Sequence, residues 1–215
     1  MKGKVSSLLF IAVVALLLLP LGAFADENNI FRVDPRHAGF GAIATWERDA
    51  GEPGQKGDPM QHGLYLQVGV TVFDGPFAGT DNLLKKPIPA ASLTKLGFAI
   101  SGRSGEGGVF TPGDPRHGYC QGGAARFLVE HTGGTCFFEC AHGDKAQDPA
   151  TNWWDISFVP PFTQYPSCPG GLSGMITYMD ITFDEEGNVV LDNITATIGG
   201  KTAVVGKPKG GEGRQ

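Results

Sequence analysis

Along "GLYLQVGVTVF" (63–73) every second residue is apolar: Leu64, Leu66, Val68, Val70 and Val72. Side chains of a strand alternate between its two faces, so this period places all five on one buried face. Similar short runs recur along the chain: "FGAIATW" (40–46), "LTKLGFAISG" (93–102) with "GGVF" beyond it, and "WWDISFV" (153–159). "ARFLVEH" and "TCFFECA" flank "TGG" (132–134), and a Gly-containing turn between β-rich runs predicts a hairpin. "GMITYMDITFD" (174–184) puts Met175, Met179, Ile181 and Phe183 on one face. "EEGN" then turns into "VVLDNITATI" (189–198), and "KTAVV" (201–205) adds a short edge strand. The only helical expectation is a short turn near "DNLLKK" (81–86). Many short strands separated by turns predict an all-β, antiparallel, disulfide-stapled β-sandwich of jelly-roll type.

Composition supports this pattern. The 215-residue chain holds 33 Gly and 15 Pro, scattered punctuators that disfavour long helices. The opening "MKGKVSSLLFIAVVALLLLPLGAFADENN" combines Lys2 and Lys4 with a short apolar run and the small-x-small sequence Ala23-Phe24-Ala25. This predicts a secretory signal peptide over 1–25, cleaved near Ala25, and a secreted or periplasmic product. One β-sandwich domain is expected over 26–206, and the Gly-rich, polar 207–215 reads as a disordered tail. No later run is apolar enough to predict a membrane span. The formal net charge is −5, without a basic stripe, so nucleic acid is a poor partner.

An oxidising destination makes the four cysteines staples rather than a reduced metal or redox site. Three pairings are possible. Cys136 and Cys140 lie along one strand-like run, and four residues of strand span roughly 13 Å, beyond the ~7 Å limit for disulfide Cα atoms. Each then pairs with either Cys120 or Cys168; the hairpin return carries Cys140 back toward Cys120, so the expected bridges are Cys120–Cys140 and Cys136–Cys168. Zinc is the rival use for His117, Cys120, Cys136, Cys140 and His142, but their spacing lacks paired knuckles.

Candidate chemistry is sparse. Ser104, His117 and Asp114 could be assembled on paper as a triad, but no G-x-S-x-G elbow enforces it, and H-E-x-x-H and Walker patterns are absent. By strict alternation Asp192 shares a face with Val190, Ile194, Ala196 and Ile198. An inward carboxylate demands a partner. Structural calcium is one solution; a bulge or a hydrogen bond to a loop backbone is another. Trp153 and Trp154 are adjacent and so point to opposite faces of a strand. With Trp46 they are the candidate ligand-binding aromatics, suited to a flat ligand such as a sugar ring. Arg126 reads as either a buried salt-bridge partner or a solvent-face residue. "NIT" at Asn193 is a glycosylation sequon in a eukaryotic secretory route.

The segments "GLYLQ", "LTKLGFAISG", "GYCQGGAARFLV" and "VVLDNITAT" together resemble exported bacterial proteins with a Cys-Gly-Gly-x-x-Arg-Phe hairpin, here with Gln121 following Cys120. The closing Asp-Asn-Ile strand is similar to jelly-roll carbohydrate-binding modules. The resemblance implies a β-sandwich and carries no activity. The function expected from these readings is a secreted, non-catalytic binding or surface-associated module, with polysaccharide or glycan as ligand. The alternatives are a secreted hydrolase on the same fold and a purely structural envelope protein.

Overall fold

A computed structural model describes residues 31–206 apart from 40, 55–57, 59, 70–75, 102–123, 149, 152 and 186. The expected signal peptide and tail, together with Val70, Val72, Ser104, Asp114, His117 and Cys120, lie outside the described residues.

The described residues form two antiparallel sheets and no α-helix. The first sheet contains β1 (Pro35–Ala38), β4 (Phe77–Thr80), β11 (Met175–Phe183), β7 (Arg126–His131) and β8 (Gly134–Glu139) in that order, with β5 (Ile88–Pro89) paired to β11. The second runs β2 (Ile43–Glu47), β3 (Gly63–Val68), β12 (Gly187–Ile198), β6 (Leu93–Ser101), β10 (Trp153–Phe158) and β9 (Asp144–Asp148), with β13 (Lys201–Val205) paired to the far half of β12. The expected β-sandwich is thus the observed architecture.

Alternation fixes which face of each strand is buried. Leu64, Leu66 and Val68 of β3 are buried, as are Leu96, Phe98 and Ile100 of β6. The sheets meet through aromatic rings. Phe98 of the second sheet lies 5.6 Å from Phe127 of the first, and Phe158 packs edge-on against Phe127 at 6.2 Å. Full burial of each such ring stabilises the fold by about 1.5–3 kcal/mol. The Pro-rich loop after β10 closes one end of this core, its Phe162 and Tyr165 rings resting on Phe138. Cys168 of that loop is bonded to Cys136 of β8, with Cα atoms 4.7 Å apart. Cys140 is also disulfide-bonded; its expected partner Cys120 is not among the described residues.

Bulges in β11 and β12 shift the alternation read from sequence. In β11 the register slips between Ile176 and Tyr178, so Ile176 enters the core and Met175, expected inside, is 39% exposed. In β12 it slips between Asp192 and Thr195, with Asn193 at φ 46°. Before that bulge Val189 and Leu191 face the core; after it Ile194 and Ala196 do. One extra residue at a bulge reverses the in–out phase, so Val190 and Asp192 belong to the outer face.

Other differences are local. Residues 81–86 form no helical turn. Leu83 is instead tied by backbone hydrogen bonds to Arg32 and Met179, and both Leu83 and Leu84 are buried. The short strands β1, β4 and β9 lack the apolar alternation that would announce them. β9, sequence DKAQD, is an edge strand whose charges discourage further pairing.

Candidate functional site

The outer face of the second sheet carries a groove because its central strand is lined with small side chains. In "LTKLGFAIS" the core residues Leu96, Phe98 and Ile100 alternate with Gly97, Ala99 and Ser101, so little projects outward. A Cβ at Gly97 would lie 2.7 Å from the Ile156 carbonyl oxygen, which makes glycine the residue that fits. Strand register then sets the neighbours. Ser157 of β10 and Thr195 of β12 flank Gly97, Asp144 of β9 lies beyond Ser157, and Val204 of β13 lies beyond Thr195. These five residues line a trough that crosses five strands. At about 4.7–4.9 Å per strand it is roughly 19 Å long. Its volume is about 440 Å³, within the range of small-molecule sites.

The banks of the trough carry charge. Lys95 lies two residues before Gly97 on β6, while Asp155 and Asn193 line the opposite side. Burial pushes the Asp155 carboxyl above its ordinary value; Lys95 opposes that shift and Asp148 adds to it. Lys145 also lines the groove, with its ammonium donating to the carbonyls of Ala141 at 2.7 Å and Gly143 at 3.2 Å.

Behind Asn193, outside the groove lining, the β2–β3 connection folds over the outer face and reaches Asn193 and Asp192 through Glu52. Gly51 N–H donates to the Gln61 carbonyl at 2.6 Å and Asp49 N–H to that of Met60 at 3.0 Å. Asp58 accepts from the His62 backbone N–H at 2.6 Å and lies 2.8 Å from His62 Nδ1, with both side chains buried. The free face of Gly51 meets Asp192: a Cβ there would be 2.7 Å from Asp192 Oδ2. Asp192 is fully buried. Its Oδ2 accepts from Glu52 N–H at 2.8 Å and its Oδ1 from Asn193 N–H at 2.6 Å. The inward position expected for Asp192 is thereby corrected: the bulge moves it to the outer face, and the loop covers it there. Backbone N–H groups thus reach both carboxylate oxygens of Asp192, and no group of three or more metal-ligating side chains occurs among the described residues.

The tryptophans do not form an open platform. Trp46 is a core residue at 5% exposure. Trp153 and Trp154 do point to opposite faces. Trp154 packs half-buried against the core, and Trp153, on the outer face with Asp155 and Ser157, is 5% exposed. The indole nitrogens of Trp46 and Trp154 are buried. Trp46 and Trp153 are thus closed to stacking on a ligand, and Trp154 remains partly exposed. Lys95, Ser157 and Thr195, which do line the groove, escaped sequence reasoning, and Asn193 entered it only as a sequon. The large–small alternation of "LGFAIS" was the available signal. Arg126 is half-buried and paired with Asp184, its guanidinium 5.4 Å from the Phe137 ring centre.

A second polar cluster lies on the outer face of the first sheet. Tyr178 O–H donates to Asp180 at 2.9 Å and Thr182 O–H donates to it at 3.1 Å. Burial, with the Asp180 charge, pushes the Tyr178 phenol up to about 12. The cluster's hydrogen bonds are satisfied internally, which makes it a poorer ligand site than the groove.

The fold and groove define an antiparallel β-sandwich with an open trough of mixed polar and apolar lining across one sheet. No helix among the described residues is long and apolar enough to cross a membrane. Comparison with family models, curated proteins and solved structures finds no match to this chain.

Proposed function

We propose that the protein is an exported, non-catalytic binding module whose ligand is a polysaccharide or glycan held in the trough across the second sheet. The observation that carries this reading is the row Asp144–Ser157–Gly97–Thr195–Val204 with Lys95 and Asp155 on its banks. A long, open trough on rigid strands suits an extended ligand, and its hydroxyl, amide and charged groups suit one recognised by hydrogen bonds. The signal-like N-terminus supports export. Tryptophan stacking, which would have supplied affinity on an aromatic platform, is replaced here by polar contacts and the apolar rim at Val204, which is 57% exposed.

Glycan-array binding followed by calorimetry tests this. Wild type should bind with a dissociation constant between about 1 μM and 1 mM. The double variant Lys95→Ala/Asp155→Ala should lose binding without losing the fold. Undiminished binding by that variant would remove the trough from consideration, and absence of glycan binding by wild type would favour a structural envelope role.

A hydrolase is the second reading, and one observation favours it. Asp144 and Asp155 line the same groove on neighbouring strands, and Asp155 is held above its ordinary value by burial. Paired carboxylates flanking the scissile bond are the machinery of glycoside hydrolysis. Release of reducing sugar that Asp155→Asn abolishes would establish it.

A further inference from the structure

We infer that the trough holds an interior stretch of a linear polysaccharide, laid across the strands and continuing past both sides of the sheet, rather than a chain end or a small sugar. This rests on the trough being a glycan site. On this half of the second sheet the strands run β9–β10–β6–β12–β13, and each contributes a residue to the row Asp144–Ser157–Gly97–Thr195–Val204. The row therefore reaches from one edge of the sheet to the other. β9 pairs only with β10 and β13 only with β12, so neither edge carries a further strand among the described residues. Asp144 at one end is exposed, and Val204 at the other is 57% exposed. Both ends of the trough thus open onto solvent, and the small side chains of Ser157, Gly97 and Thr195 leave the floor between them continuous. A site that reads a chain terminus needs a wall where the terminus stops, and here a bound chain meets none. A single sugar would leave most of the roughly 19 Å row empty.

The direction of the trough also selects the polymer. Both β10 and β6 are paired on each side, so their backbone groups are taken up within the sheet and the floor there offers side chains alone. An extended peptide is held by main-chain hydrogen bonds along a free sheet edge, in line with the strands. A chain crossing five strands finds no such ladder. A saccharide chain needs none, because its hydroxyls bond to side chains unit by unit.

Calorimetric titration of the full chain with linear polysaccharides, neutral and acidic, and with size-graded oligomers of each, tests the inference. An interior site lets several protein molecules occupy one polymer, so the number bound per chain should grow with polymer length. Affinity for the oligomers should rise until their extended length reaches roughly 19 Å and then level off. Chemical capping of the reducing end should leave it unchanged. Asp144→Ala and Val204→Ala, both at exposed positions, should each weaken binding of the longest oligomers about twofold to tenfold, the range of one lost contact. One protein molecule per chain at every length, or binding lost on capping, would overturn the interior mode and leave the trough standing as a glycan site. A silent Asp144→Ala or Val204→Ala would overturn the edge-to-edge span. No binding of any polymer would overturn the glycan reading itself.

Discussion

Asp192 illustrates how much one residue's surroundings decide. It is a fully buried carboxylate on the outer face, held by the backbone N–H groups of Glu52 and Asn193. Removing the acceptor leaves two part-buried donors unmatched, a loss on the order of 1–3 kcal/mol. Asp192→Ala should therefore lower the denaturant midpoint clearly. Asp34→Ala, which removes an exposed partner of Arg32, should change stability by less than about 1 kcal/mol. Equal midpoints for the two variants would show that the loop does not depend on Asp192. The sequence marked Asp192 as unusual through its position in an apolar alternation. It could not show the bulge, because a bulge is a mismatch between two strands rather than a property of one.

At the scale of elements, the loop 159–174 is held by two independent devices. Phe162 and Tyr165 pack on Phe138, and the Cys136–Cys168 bridge joins strand β8 to the loop across a sequence separation of 32. Loss of a native disulfide of this span typically costs about 2–5 kcal/mol. The double variant Cys136→Ala/Cys168→Ala should show that loss in denaturant unfolding under non-reducing conditions. A negligible change would mean that the aromatic packing alone retains the loop. Strand geometry excluded a Cys136–Cys140 pair for a sound reason, although the strand ends at Glu139 and Cys140 begins a short 3₁₀ turn.

At the scale of the whole molecule, several carboxyls are partly removed from water. Asp155, Asp180 and Glu185 are all held above their ordinary values, and burial is the first cause in each. A carboxyl raised in the folded state binds its proton more tightly there than in the unfolded chain. Its contribution to stability is fully present below the unfolded value, and is lost as pH rises through the folded one. Asp148 acts oppositely: the backbone N–H of Ala150, with the Thr151 hydroxyl, lowers it, so its contribution is lost as pH falls. Asp180→Asn removes one titration while preserving shape. Relative to wild type, this variant should gain stability as pH rises from about 4, the ordinary carboxylate range, to 7. A difference in Tm that is the same at both ends would show Asp180 to be hydrated.

The sequence by itself determined the fold class. Period-two alternation in "GLYLQV" and "LGFAIS" is a local property that every strand carries with it, and the Gly-rich turn after His131 fixed the β7–β8 hairpin for the same reason. It also determined that Trp153 and Trp154 diverge. Only the tertiary structure decided which faces were covered. Trp153 lies on the outer face yet is nearly buried, Asp192 lies there beneath a loop from a distant part of the chain, and Met175 and Ile176 exchange places at a bulge. The trough was decided in the same way. Asp144, Ser157, Gly97, Thr195 and Val204 are scattered over more than half of the described chain, and only the register of five strands brings them into one row. Alternation assigns a residue to a side of its own strand; the pairing of strands decides what it meets there.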